Sequence, residues 1–405
     1  MTGGVAFFLF QTPPVMRRIL VIHPALGTGG GSRWSLQAAE ALAQRGHTVE
    51  WVAGAPTQES PAWPELSAVS FHRHLVPLRW PETVAGRGRA ALATWRTRGL
   101  IRWSRRTLPE PDAVLLDSVP FELERVRAAF PSSRIVFYCH FPEALYAKPA
   151  PWYLRAHRQY WVRREAAGLA VADQVLANSD YTRTRLISVF PELAGRVTVC
   201  HPAVRGVAAE PVRAARHVLC VARWDLEKNL PLAVRAYAEC RRVMSAAGGR
   251  ALPLVIVGGF DAKSPLAQAA WDEVARECVR LGLDDAACRR LRGCSDVELD
   301  RFYREALVLV HPAPREHFGM VAPEAMVRGI PVIGIAGSGL AETVIDGETG
   351  FLVPPETTAL AGRLRQLHEE PGLRDRLGAR ARARVEASFL LEHQGGGLEA
   401  ALFPR

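Results

Sequence analysis

Lysine and asparagine are almost missing from this chain of 405 residues: only Lys148, Lys228 and Lys263, and only Asn178 and Asn229. Nearly all the basic residues are arginine, which reads as a genome-wide codon bias. Under such a bias, each surviving lysine or asparagine marks a position that arginine or aspartate does not serve. An ammonium is a compact point charge and a guanidinium a planar fork. The seven cysteines are scattered, with no C-x-x-C pair. That argues against a zinc site or a disulfide framework and favours a reducing compartment. No Asp-x-Asp pair occurs, so that metal-binding motif is excluded. No Asn-x-Ser/Thr sequon occurs either. Long apolar runs are missing too: Val5 to Phe10 is too short to span a bilayer and follows no basic region. The chain is expected to be soluble or to lie on a membrane surface.

What is present fits an ordinary globular protein, with 48% hydrophobic and 23% charged residues. The length allows two domains with sizeable cores. The net charge of +10 is uneven: residues 1–205 hold 25 Lys+Arg against 15 Asp+Glu, and residues 206–405 hold 26 of each. The first half is therefore expected to meet an anionic partner, whether nucleic acid, membrane or phosphorylated substrate.

Residues 1–16 read as a disordered leader. Arg17 to His23 is an apolar strand, followed by Gly27-Thr28-Gly29-Gly30-Gly31 and a helical pattern from Ser32 to Gln44, with Ser32 suited to the cap. Thr48 to Ala53 is the next strand, which makes a Rossmann-like opening. Residues 54–110 are rich in Pro, Arg and Trp and carry no clear pattern. Strands follow at Ala113 to Leu116, Ile135 to Tyr138, Val175 to Asn178 and Val197 to Cys200, with a long helix over Trp152 to Ala170. After a linker at 203–215, strands recur at His217 to Val221, Leu254 to Val257, Ala306 to Val310, Val332 to Ile335 and Phe351 to Val353. The expectation is an α/β chain with a first domain over 17–205 and a second over 213–380. A segment over 381–405 packs back on the first, and the helical stretch Thr358 to Phe389 is the candidate for the crossing.

The richest stretch is Glu316-His317-Phe318-Gly319-Met320-Val321-Ala322-Pro323-Glu324, between two of those strands. Two carboxylates lie eight positions apart around a glycine. Pro323 suits a first helical position, where its missing N–H costs nothing. Free amides at a helix start attract phosphate. Glu324 can accept hydrogen bonds from a ribose diol, and Glu316 can reach a sugar's hydroxyls. A nucleotide sugar has its parts in that order. Downstream come Gly337-Ser338-Gly339-Leu340-Ala341-Glu342 and Asp346-Gly347-Glu348-Thr349-Gly350-Phe351.

This series resembles the Glu-x7-Glu region of retaining glycosyltransferases of family 4, whose GT-B fold sets two Rossmann-like domains around a cleft. The resemblance spans about residues 17–390. It implies that Glu316 is catalytic and that Phe318, Gly319, Met320, Val321 and Glu324 bind the donor. It implies that Arg223 and Lys228, in Val221-Ala222-Arg223-Trp224-Asp225-Leu226-Glu227-Lys228, hold the donor diphosphate, as two cations beyond a strand would. Gly29 and Gly30 resemble the family's first-domain glycine loop. Relatives commonly continue with a glutamate where this chain has Ser32.

Phe137-Tyr138-Cys139-His140-Phe141-Pro142-Glu143 resembles the family 4 mannosyltransferases that extend the dolichol-linked N-glycan precursor. That implies that His140 is catalytic with Glu316, near the donor sugar and acceptor hydroxyl, and places Lys148 on the acceptor side. Residues 87–106 carry seven arginines interleaved with Trp95 and Trp103, a composition that suits a membrane interface. Arg96, Arg102 and Trp103 are expected to face the acceptor or membrane. A nucleic-acid surface has similar composition, but the resemblance implies none. It implies GDP-mannose as donor, a lipid-diphosphate oligosaccharide as acceptor, and α-1,3 then α-1,6 transfer. It implies no required cofactor or metal, because protein cations and helix dipoles take the metal's place. The expected location is the cytosolic face of the endoplasmic reticulum membrane. Another donor or lipid-linked acceptor, or a non-catalytic binding module of the same fold, stays open.

Overall fold

The computed structural model describes residues 16–26, 30–55, 71–78, 89–146, 155–208 and 214–404. Two parallel sheets organise the chain. The first contains β1 (Arg18–His23), β2 (Thr48–Gly54), β3 (His72–Val76), β4 (Ala113–Asp117), β5 (Arg134–Cys139), β6 (Gln174–Ala177) and β7 (Val197–Val199). Their order is β3-β2-β1-β4-β5-β6-β7. The second contains β8 (His217–Val221), β9 (Leu254–Val257), β10 (Cys288–Leu291), β11 (Ala306–His311), β12 (Val332–Ile335) and β13 (Gly350–Val353), in the order β10-β9-β8-β11-β12-β13. Helices cover both faces, so the central strands are buried on both sides and read as continuous apolar runs. In β4, all five residues are buried.

Each sheet reverses its winding at one place, between β1 and β4 in the first domain and between β8 and β11 in the second. Such a switch point opens a crevice outside the carboxyl ends of the strands, where ligands bind. The residues just beyond these four strands form the candidate site.

The poorly patterned region contains β3 and a helix, Arg89–Thr107, whose arginines hide its periodicity. Strand β10 was also not expected. Its sequence, Cys-Arg-Arg-Leu, sits at a sheet edge, where Arg289 stays exposed. The proposed leader lies outside the described residues, except Met16. Helices Thr357–Glu369 and Pro371–Ser388 stay on the second domain, with Leu360, Leu364 and Leu377 in its core. The expected crossing by 358–389 is therefore corrected: Leu377, Ala381 and Val385 form an i, i+4 stripe that holds this stretch to its own domain. Helix Leu391–Leu402 makes the crossing. Its Leu398 and Leu402 join Trp34, Trp51 and Tyr138 in the first domain's core.

Candidate active site

In the second domain, the loop after β8 ends in a short 3-10 turn, Leu226–Lys228, capped by Asp225, before helix Leu230–Ala246. Asn229 takes the left-handed φ of 48° that lets the chain turn there, a conformation asparagine tolerates. The turn delivers Lys228 Nζ to within 2.7 Å of Glu316 Oε2. His311, the last residue of β11, places Nε2 2.8 Å from the same oxygen. Burial pushes the Glu316 carboxyl up. Hydrogen bonding from His311 and the charge of Lys228 outweigh that and hold it well below the usual carboxylate range. An ionised carboxylate and a cation thus sit together at the switch point.

Arg223 is less engaged: its side chain is 65% exposed and its guanidinium lies 3.9 Å from Asp225. It is close enough to help depress the neighbouring His317 imidazole, which burial above all pulls down to about 4. Gly319 has φ 83°, and a side chain there would meet Leu340 and Glu316. Gly339 N–H donates to Glu316 O at 2.8 Å, and a Cβ on Gly339 would overlap the His317 carbonyl. Those glycines let one loop close over the other.

Three expectations change in this loop. Helix Val321–Met326 starts two residues before Pro323, which is third rather than first. Phe318 is 2% exposed and packs with His201 and Phe389, so its side chain belongs to the core and only its backbone can meet a donor. Met320 and Val321 are partly buried at the helix start. Glu324 is on the site, but both oxygens are occupied: Tyr303 donates its hydroxyl at 2.8 Å, and Arg33 of the first domain reaches the other at 3.1 Å. A ribose diol would share or displace Arg33.

In the first domain, His140 follows β5 and is partly exposed. Phe141 stacks on His317 across the cleft, with ring centroids 3.8 Å apart and 6° between planes. Ser179 Oγ donates to His317 O at 2.6 Å. Asn178 donates its side-chain amide to His140 O at 2.9 Å. The cleft thus brings Glu316, Lys228, His317 and His140 to one region. Gly30 opens helix Gly30–Gln44. Ser32 therefore lies inside that helix rather than capping it, and its hydroxyl meets His23 Nε2 at 3.0 Å. Gly29 and Lys148 lie outside the described residues.

The sequence reading missed Asp117 and His23. Asp117 ends β4 and takes both His23 and His140 on its carboxylate. A lone acid closing a buried apolar strand was the available signal. Arg96 is corrected outright. It is 1% exposed and donates to the carbonyls of Pro24 at 3.2 Å and Ala55 at 3.0 Å, so it cannot face a membrane. Arg102 is exposed, and Trp103 is half-buried against His74.

A family model described as Glycosyltransferase Family 4 matches residues 28–241, and one described as Glycosyl transferases group 1 matches 212–384. The alpha-1,3/1,6-mannosyltransferase ALG2 of Homo sapiens is 28% identical over 393 residues, 92% of each chain. The alpha-1,3/1,6-mannosyltransferase of Neurospora crassa is 28% identical, covering 84% of this chain and 79% of its own. Among solved structures, sucrose-phosphate synthase from Thermosynechococcus elongatus superposes with a TM-score of 0.77 at 24% identity, over 96% of this chain and 99% of that one. The two sheets and their cleft are the GT-B fold. The chain belongs to glycosyltransferase family 4.

Proposed function

We propose that the protein is a retaining mannosyltransferase. It moves mannose from GDP-mannose to a mannosyl-chitobiosyl-diphosphate lipid, first in α-1,3 and then in α-1,6 linkage. The observation that carries this reading is the Lys228–Glu316–His311 cluster at the second domain's switch point, opposite His140. The named activity of relatives that match over most of their length supports it. The donor is α-linked and the products are α-linked, so configuration is retained; membership of the family points to front-face displacement as the route. Lys228 and Arg223 take up the charge of the departing diphosphate without a metal or cofactor. The diphosphate oxygen that leaves C1 receives the proton of the incoming hydroxyl. Glu316 holds the mannose and steadies its oxocarbenium-like state.

The acceptor's lipid anchor requires the enzyme to work at a membrane surface, here read as the cytosolic face of the endoplasmic reticulum. Among the described residues, no helix is long and apolar enough to cross a membrane. Peripheral contact has support in a groove of about 300 Å3 lined by Arg98, Arg102, Arg105, Arg106 and Arg125. Trp95, 49% exposed, lies beneath the Arg98 guanidinium. Such basic and aromatic surfaces hold anionic headgroups. Donor choice is tested by thermal shift. GDP-mannose raises the melting temperature, and UDP-glucose at the same concentration does not. Stabilisation by UDP-glucose alone contradicts the reading.

A further inference from the structure

Behind His140, the first domain's side of the cleft holds a chain of polar side chains to which the proposed reaction gives no role. Asp117 is 1% exposed and sits at the switch point. His23 Nδ1 lies 2.8 Å from its Oδ1, and His140 Nε2 lies 3.0 Å from its Oδ2. Ser118 donates its hydroxyl to Oδ2 at 3.1 Å. Ser118 adopts φ 66°, a left-handed conformation unusual outside glycine and held here beside the carboxylate. His23 Nε2 continues the chain to Ser32 Oγ at 3.0 Å.

A carboxylate only accepts hydrogen bonds, so both imidazole nitrogens facing Asp117 are N–H donors. Burial pushes the Asp117 carboxyl up, but the two imidazoles outweigh that and keep it ionised. His140 thereby bears its proton at Nε2, so in the neutral ring Nδ1 is the nitrogen left to accept a hydrogen bond. Among the described residues, Nδ1 has no hydrogen-bond partner. Trp34 and Tyr138 meet the ring edge-on, with centroids 5.3 and 5.0 Å away, and limit its rotation. A Cβ on Gly31 would lie 3.6 to 3.9 Å from His23, His140 and Ser118, so the backbone closes over the cluster.

We infer that Asp117, backed by His23 and Ser32, is a positioning residue. It holds His140 in the tautomer whose Nδ1 accepts a hydrogen bond from a sugar hydroxyl at the transfer centre. The inference deepens the proposed function and rests on it. It transfers no proton to His140 and adds no step. It specifies which atom orients the hydroxyl, and that a residue 94 positions from His23 in sequence decides it.

The test uses the full chain, GDP-mannose and a mannosyl-chitobiosyl-diphosphate lipid. Asp117→Asn replaces an obligate acceptor with an amide that can donate, which frees the His140 tautomer; kcat falls about 100-fold, the lower range for a positioned acid–base group. GDP-mannose Kd stays within about threefold, a small change beside one hydrogen bond's worth of about tenfold. His23→Ala lowers kcat about tenfold, and His23→Asn, whose amide can donate where Nδ1 did, restores most of it. Long-range 1H–15N spectra show His140 as Nε2–H in the unsubstituted protein, and that signature is lost in Asp117→Asn.

The inference is overturned if folded His23→Ala and Asp117→Asn keep kcat within about twofold of an active parent, or if His140 proves to be Nδ1–H. Should Asp117→Asn fail to fold, the His23 pair and the parent spectrum decide. Should the parent transfer no mannose while showing Nε2–H at His140, the proposed function fails and the positioning geometry stands.

Discussion

Glu165 accepts the amides of Glu143 and Ala144, at 2.9 and 2.8 Å, and so fixes the turn that follows His140. Burial pushes its carboxyl up to about 7. The unfolded chain releases this proton near the ordinary value of 4.5, and the folded chain keeps it longer. The stability it contributes is therefore full below pH 4.5 and lost as pH rises through 7. A shift of that size corresponds to roughly 3 kcal/mol. Urea midpoints at pH 5 and pH 8 should show the protein weaker at pH 8, and Glu165→Gln should shrink that difference. An equal difference in both proteins refutes the assignment. At this same scale, scarcity was a useful guide. Asn229 holds a left-handed turn, Asn178 donates an amide that aspartate lacks, and Lys228 brings its ammonium to the Glu316 oxygen that His311 also meets. Asp117 is marked in the sequence only as a lone acid closing an apolar strand; its role was not legible, because its partners lie 94 and 23 positions away.

The helix Leu391–Leu402 carries three consecutive glycines, each costing about 1 kcal/mol relative to alanine in a helix interior. Their surroundings differ. A Cβ on Gly395 would come within 3.0 Å of the Ala41 carbonyl, whereas the nearest atom to one on Gly396 is the end of Arg45, 4.0 Å away. Gly395 therefore admits close packing against helix Gly30–Gln44, and Gly396 does not need to be glycine. Gly395→Leu is expected to destabilise by about 1–3 kcal/mol through overpacking. Gly396→Ala is expected to stabilise by about 1 kcal/mol through helix propensity. Chemical denaturation of both variants checks the opposite signs, and like signs contradict this packing. Elements with a continuous apolar run were readable in advance, as β1, β4, β8 and β11 were. Helix Arg89–Thr107 and edge strand β10 were not, because charge masks their period. The stretch 358–389 reads as the crossing because the contacts that hold it to the second domain come from residues distant in sequence, while the crossing helix itself lies within the 381–405 segment.

Across the whole molecule, Glu342 clamps the two domains together. Its carboxylate accepts the amides of Asp180 at 2.8 Å and Tyr181 at 3.0 Å, at the positive end of helix Asp180–Val189, and meets His201 Nε2 at 2.8 Å. Hydrogen bonds to a charged group contribute about 1.5–3 kcal/mol each. Glu342→Ala should loosen this contact, giving a larger radius of gyration in solution scattering while each domain stays folded. An unchanged radius places the clamp elsewhere. The two-domain plan was legible from alternating strands and helices. The cleft contacts were not, since Arg33–Glu324 and Ser179–His317 join residues 291 and 138 positions apart. The central claim is that this cleft transfers mannose to a lipid-linked sugar. The most direct measurement incubates the purified protein with GDP-mannose and a mannosyl-chitobiosyl-diphosphate lipid in membranes and weighs the product. The account predicts two added hexoses with the parent protein and none with Lys228→Ala or Glu316→Ala. No added hexose with the parent, or full transfer by a folded Lys228→Ala, would contradict it.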